Sequence, residues 1–250
     1  MRIARVPLST GRRHIADLSW LSLRVPRCIL CAELDLSRAQ AARAALAAPR
    51  PAWPMIVAKA FALVAADRPA LRRIHATLPA PRLLELPRAI GCIMVERRRE
   101  DGPLVMAARF PDLAGTPLPA LSAELAHAKT APEDAYRPAY RLARMVRLPW
   151  PLRRLILRWS LATARPLLRH AGTFAVSSVG QHGAAIVDSV SPLPVFLTLG
   201  PIGATGRVEV FLAFDHRVMD GADGAEALRA LQAVLDGAMT AELRELSRAG

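Results

Sequence analysis

The sequence predicts an α/β domain, and three observations carry the prediction. Val208, Val210, Leu212 and Phe214 alternate with Glu209, Phe211, Ala213 and Asp215, the period-two pattern of a strand with one strongly apolar face. After Gly221 the period changes, and Leu228, Leu231 and Leu235 recur at helical spacing. Other helix-like and strand-like segments are interspersed along the remaining chain, with no internal repeat and no composition shift of a domain linker. Its 250 residues suit one large domain or two small ones, and 52% hydrophobic residues can support a sizeable core.

Local chemistry justifies each element in turn. Ser37 is placed to cap a helix running through Ala48. Pro54 suits the first turn of a helix extending to about Asp67, with Pro69 beyond its end. Pro119 to Lys129, with Leu121 and Leu125 on one face, reads as another helix. Val195 to Leu199, closed by Gly200-Pro201, reads as a strand buried on both faces. The proline-rich stretches Pro49–Pro54 and Pro79–Pro87 read as loops, and Arg97-Arg98-Arg99 before Glu100-Asp101 as a solvated hairpin tip. Asp223, three residues before Glu226, resembles an aspartate version of a capping box, and Gly237 ends that helical run.

Composition narrows the function classes. Net charge is +13, which suits an anionic partner, yet 32 of the 34 basic residues are arginine, a bias that base composition of the genome also produces. No zinc-finger spacing or basic cluster interleaved with stacking aromatics is present, so no nucleic-acid partner is expected. No stretch reaches the roughly 18 apolar residues of a membrane span. Met1-Arg2-Ile3-Ala4-Arg5 has a basic start without an apolar region behind it, so the expected location is cytoplasmic. Three cysteines give no disulfide framework. Cys28 and Cys31 have redox or metal-pair spacing, but in a strand they point to opposite faces, so they are read as structural and no metal is expected.

The chemistry concentrates at Phe214-Asp215-His216-Arg217-Val218-Met219-Asp220-Gly221. One of only six histidines leaves a strand there, with a carboxylate four residues later and a helix opening behind it. His216 has the parity of the core-facing residues, so it is expected to point inward, as a general base. Asp220 is assigned to the geometry of the turn, with an arginine as a candidate partner, rather than to proton transfer.

This segment, followed by Ala222-Asp223-Gly224, resembles the signature of the dihydrolipoamide acyltransferase component of 2-oxoacid dehydrogenase complexes. Other segments are similar in the same order: Arg13 to Ser19 with Val25-Pro26, Glu33 to Ser37, Ile56 to Ala60 with Arg68 to Leu71, Ala89 to Val95 with Asp101 to Val105, and Gly172 to Gly180. The resemblance implies a chloramphenicol acetyltransferase-like fold: a two-layer sandwich in which helices cover a mixed β-sheet. It also implies one catalytic domain over residues 1–250 in a homotrimer or an assembly of trimers, although, unlike the complex-forming enzymes, no lipoyl or subunit-binding domain is expected ahead of it. Coenzyme A or an acyl-CoA is the implied substrate, with a lipoyl group supplied in trans, by a lipoyl-carrier or acyl-carrier protein. His216 is the implied general base and Ser177, first of a serine pair, the implied oxyanion donor, meeting across a subunit interface. A catalytically silent trimeric core of the same fold is the alternative; no residue is assigned to cofactor binding.

The sequence departs from that family in three places. Ser178 stands where the family has asparagine, and Ala107 where it has proline. Residues 132–171 are a divergent insertion. If residues from Leu152 to Arg169 are helical, Arg154, Arg158, Arg165 and Arg169 fall within about a 60° sector, with a break near Pro166. Leu152, Leu155, Ile156 and Trp159 lie largely opposite. Three readings stand for residues 148–169: a basic helix at a membrane surface or against an acidic carrier, a cover over the substrate channel, or a surface helix whose apolar stripe completes the core.

Overall fold

The computed structural model describes residues 3–249. Its centre is a six-stranded mixed sheet made of β1 (Arg27–Asp35), β4 (Gly91–Arg99), β5 (Gly102–Phe110), β6 (Phe174–Ser178), β7 (Val195–Leu199) and β8 (Arg207–Asp215). The spatial order is β1-β8-β7-β6-β4-β5. β6 pairs in parallel with both β4 and β7, whereas β8 runs antiparallel to β1 and β7. Two short strands, β2 (Arg73–Ala76) and β3 (Arg82–Glu85), form a separate antiparallel pair.

Side-chain parity explains the layering. Val208, Val210, Leu212 and Phe214 point with Val195, Leu197, Leu199, Phe174 and Val176 into one core. That core is covered by α2 (Ser37–Ala44), α3 (Trp53–Ala66), α4 (Leu118–Thr130) and α8 (Gly221–Val234). Helix α3 is apolar all round and buried from Met55 to Ala62. Its single charge, Lys59, is neutralised by Glu242 at 2.6 Å. Phe61 meets Phe174 edge to face at 5.0 Å, over Gly91, where a Cβ would come within 2.4 Å of the Phe174 ring. The opposite face of the sheet carries a smaller cluster of Cys92, Ala175, Leu193, Phe196 and Ala213. Strand β7 is buried on both faces, as expected for Val195 to Leu199, with the Thr198 hydroxyl donating to Ile186 O at 2.5 Å.

Several boundaries differ from expectation. Ser37 is the first helical residue rather than the cap: Asp35 Oδ1 accepts its N–H at 2.8 Å, and α2 ends at Ala44. Pro79–Pro87 contains β3, because pairing with β2 overrides the proline signal. The capping box is made by Asp220 and Asp223, one step earlier than the Asp223–Glu226 pair. Gly237 does not stop the helix; a π-turn over Leu235–Met239 leads into α9 (Thr240–Ala249), where burial of Leu235, Met239 and Leu243 outweighs the glycine. Of the arginines at the hairpin, only Arg98 is solvated; Arg97 donates to the Ala128 and Ala131 carbonyls, and Arg99 pairs with Asp101 and Glu133.

The segment 132–171 forms α5 (Arg137–Arg147), α6 (Trp150–Thr163) and α7 (Arg165–His170). The break expected at Pro166 falls at Ala164, whose φ is +60°, and Pro166 sits in the first turn of α7. The four-arginine sector therefore does not persist along one helix. The inward face of α6 is also not the expected stripe of Leu152, Leu155, Ile156 and Trp159 but Arg153, Leu157 and Ser160. Arg153 is buried against Asp17 of α1 (Thr10–Ser22) at 2.5 Å, while Trp150, Leu152, Leu155 and Trp159 are 62%, 46%, 65% and 55% exposed. Asp17 is itself buried, and a buried carboxylate needs a cation more than a leucine needs shelter, so the arginine face wins the inward side. Among the described residues no helix is long and apolar enough to cross a membrane.

Candidate active site

His216 stands one residue past the end of β8, and its N–H donates to Pro26 O at 2.9 Å, continuing the β1–β8 ladder. The strand parity that aims it at the core is lost in the turn. Its side chain is 50% exposed, with one edge against Phe214 at 6.0 Å between ring centroids, which corrects the expectation of an inward histidine. The turn is held from below. Asp215, buried, accepts Arg217 Nε at 2.9 Å and Nη2 at 2.7 Å, and also accepts the Arg217 N–H at 3.0 Å.

Two acceptors fix the imidazole. Nδ1 faces Met219 O at 3.3 Å and Asp220 Oδ1 at 3.4 Å. A nitrogen facing a carbonyl and a carboxylate carries the proton, so Nε2 is left with the free lone pair of a base. Asp220 thus has two duties, as helix N-cap and as a partner of the imidazole. The arginine considered for Asp220 goes instead to Asp215, and the Asp215–Arg217 clamp is the part of the site that sequence reading missed. The signal was present, since acid and base flank the histidine directly.

Ser177 and Ser178 end β6. The Ser178 hydroxyl is engaged: it donates to Leu199 O at 3.2 Å and accepts Gly180 N–H at 3.2 Å. Ser177 has opposite parity, on the face shared with Ala175, and among the described residues its hydroxyl has no hydrogen-bond partner. Gly180 lets the chain turn tightly there, since a Cβ would come within 2.6 Å of Gly200 O.

The topology keeps the serine and the histidine apart within one chain. Ser177 pairs with Thr198, and Thr198 with Phe211. His216 lies five residues further along β8, which runs opposite to β6. Two strand spacings across and five residues along place the groups roughly 20 Å apart, at opposite ends of the sheet. Cys28 and Cys31 lie on opposite faces of β1, half-buried and exposed respectively, so they form no chelating pair.

No protein-family model matches the sequence, and no curated protein does. Solved structures are similar over nearly the full chain. A probable dihydrolipoamide acetyltransferase from Listeria monocytogenes is 18% identical, covers 94% of this chain and 94% of its own, and superposes with a TM-score of 0.66. The dihydrolipoamide acetyltransferase of Azotobacter vinelandii is 19% identical over 95% of this chain and 93% of its own, at 0.64. A truncated catalytic core of the 2-oxoacid dehydrogenase multienzyme complex from Thermoplasma acidophilum is 19% identical over 94% and 99%, at 0.61. The near-complete coverage of both chains and the TM-scores above 0.6 show that the chain has the fold of dihydrolipoamide acetyltransferase catalytic cores.

Proposed function

We propose that the protein is an acyltransferase that moves an acyl group between coenzyme A, or a lipoyl thioester supplied in trans, and an acceptor. The observation that carries this reading is the placement of His216 Nδ1 between Met219 O and Asp220 Oδ1, the arrangement that leaves Nε2 free to act as the base. In the A. vinelandii enzyme a serine, a histidine and an asparagine four residues after that histidine have a role in the catalytic mechanism. Here Ser177, His216 and Asp220 correspond in kind, with aspartate in place of asparagine.

For a thiol acceptor the chemistry runs as follows. Nε2 of His216 takes the thiol proton, and the thiolate attacks the thioester carbonyl. The Ser177 hydroxyl donates to the resulting oxyanion. Collapse of the tetrahedral intermediate expels the second thiolate, which recovers the proton from the imidazolium. Asp220 and Met219 O stabilise that imidazolium through Nδ1. Because the two groups are roughly 20 Å apart in one chain, the site is completed by a second copy, each interface joining His216 of one protomer to Ser177 of its neighbour. A closed ring of three, alone or within a larger assembly, satisfies every such pair. A cubic core is the assembly of a pyruvate dehydrogenase complex component with this fold.

Mixing tests both parts. His216→Ala and Ser177→Ala are each expected to be nearly inactive in coenzyme A release from acetyl-CoA with a thiol acceptor. Co-refolded in equal amounts, they should recover about a quarter of wild-type activity, because one random interface in four carries both intact groups. No recovery refutes the shared site, and a His216→Ala protein as active as wild type refutes the enzyme reading.

A further inference from the structure

Helix α6 encloses a second, basic cavity against α1, next to the turn that carries His216. The docking uses up the acidic groups available there. Asp17 is taken by Arg153 at 2.5 Å and Arg154 at 3.7 Å, and Asp215 by Arg217. Arg24 and Arg154 both lie over the Trp20 ring, at 3.5 and 4.7 Å from its centre. What remains is a cleft of about 370 Å³ whose polar lining is Trp20, Arg24, His75, Thr77, Arg158 and Arg217, with no acidic side chain among the lining residues.

The charge count decides what such a cleft can hold. Around it stand five guanidinium groups, those of Arg24, Arg153, Arg154, Arg158 and Arg217, against the two carboxylates of Asp17 and Asp215. Arg24 engages only the Trp20 carbonyl and ring, and Arg158 has no ion pair among the described residues. His75 is pushed below the usual imidazole range, first by burial and then by the Arg217 charge, with Asp215 acting against them. Arginines gathered around a concave space repel one another, and an anion with several oxygens relieves that repulsion through fork-shaped contacts. The volume lies within the range of about 300–1,000 Å³ of small-ligand clefts.

We propose that the α1–α6 cleft binds a phosphate-bearing ligand, with Arg24, Arg158 and Arg217 as its anion contacts. The residue on α6 is supplied by the segment 132–171, so this site depends on the insertion. The phosphate has two sources that fit the same chemistry. It belongs either to a soluble phosphate ester or to a lipid headgroup, for which the exposed Trp150, Leu155 and Trp159 on the same helix offer an apolar foothold. Binding is read without turnover, so its outcome is separate from that of the acyl-transfer reading.

The test titrates pyrophosphate into the full-length protein by calorimetry, alongside flotation with phosphatidylcholine vesicles containing phosphatidylglycerol. Arg158→Gln should weaken pyrophosphate binding at least about tenfold, the loss of one charge-assisted contact. Arg229→Gln, which removes an arginine on α8 far from the cleft, should leave it unchanged. Vesicle binding that Arg158→Gln abolishes assigns the phosphate to a headgroup, and its absence assigns it to a soluble ester. Equal affinities in wild type and Arg158→Gln, or an equal loss in Arg229→Gln, overturn the proposal, because the interaction then follows net charge rather than the cleft.

Discussion

The two ends of the sheet are built on different principles. At the end where β8 finishes, His216 is prearranged by its own chain, with Nδ1 against two acceptors, a buried Asp215–Arg217 clamp beneath it and a capping box behind it. At the end where β6 finishes, Ser178 is tied to the backbone twice, while the Ser177 hydroxyl has no hydrogen-bond partner among the described residues. One end is held by its own neighbours and the other leaves a hydroxyl open. A strand direction reversed between β6 and β8 separates them, so within one chain the serine and the histidine stand far apart.

Four outcomes break or sharpen that contrast. The largest is His216→Ala, expected to lower transfer by about 10²–10⁴-fold with the circular dichroism spectrum unchanged, since the imidazole is half exposed and meets the core only at one edge of Phe214. Next, Arg217→Ala leaves Asp215 buried without its cation and should cost about 3–5 kcal/mol in urea unfolding, and a cost below about 1 kcal/mol would show that the pair is no clamp. At the other end, Ser177→Ala should lower turnover about 10²–10³-fold without changing stability. Ser178→Ala should do the reverse, costing roughly 1–2 kcal/mol of stability for its lost hydrogen bonds while turnover stays within about a factor of ten. Equal behaviour of the two serines would erase the distinction between them.

A fifth outcome, on stability alone, concerns a group outside the proposed chemistry. Burial pushes His14 in α1 down to about 4, and its Nδ1 has no hydrogen-bond partner. The unfolded chain therefore binds the proton more readily than the folded one. Stability from this group is complete above about pH 6.5 and is lost as pH falls toward 4, by up to about 3 kcal/mol. The difference between wild type and His14→Asn in urea midpoints across that window measures it, and no pH dependence in that difference would show that the imidazole is not desolvated.

Much of this protein was legible in order of residues alone. Strand β8 and helix α8 follow from a change of period at Gly221, α3 from an apolar run opened by Pro54, and β7 from four apolar residues and a threonine closed by glycine and proline. These depend on neighbours within a few positions, where side-chain spacing and backbone preference act without help. The His216 turn was legible too, because its acid, base and cap lie within nine residues, Asp215 to Asp223.

What escaped was decided by distant partners. Parity sends His216 inward only while the strand continues, and its actual exposure follows from a turn clamped by Asp215 and Arg217. The inward face of α6 was set by Asp17, more than a hundred residues earlier, whose buried charge drew arginines inward and left tryptophans in solvent. The sequence by itself determined the main strands and helices and singled out the groups proposed for the chemistry. Only the tertiary structure decided that Ser177 and His216 stand at opposite ends of one sheet, because strand order and direction arise from packing between segments far apart in the chain, and no local pattern encodes them.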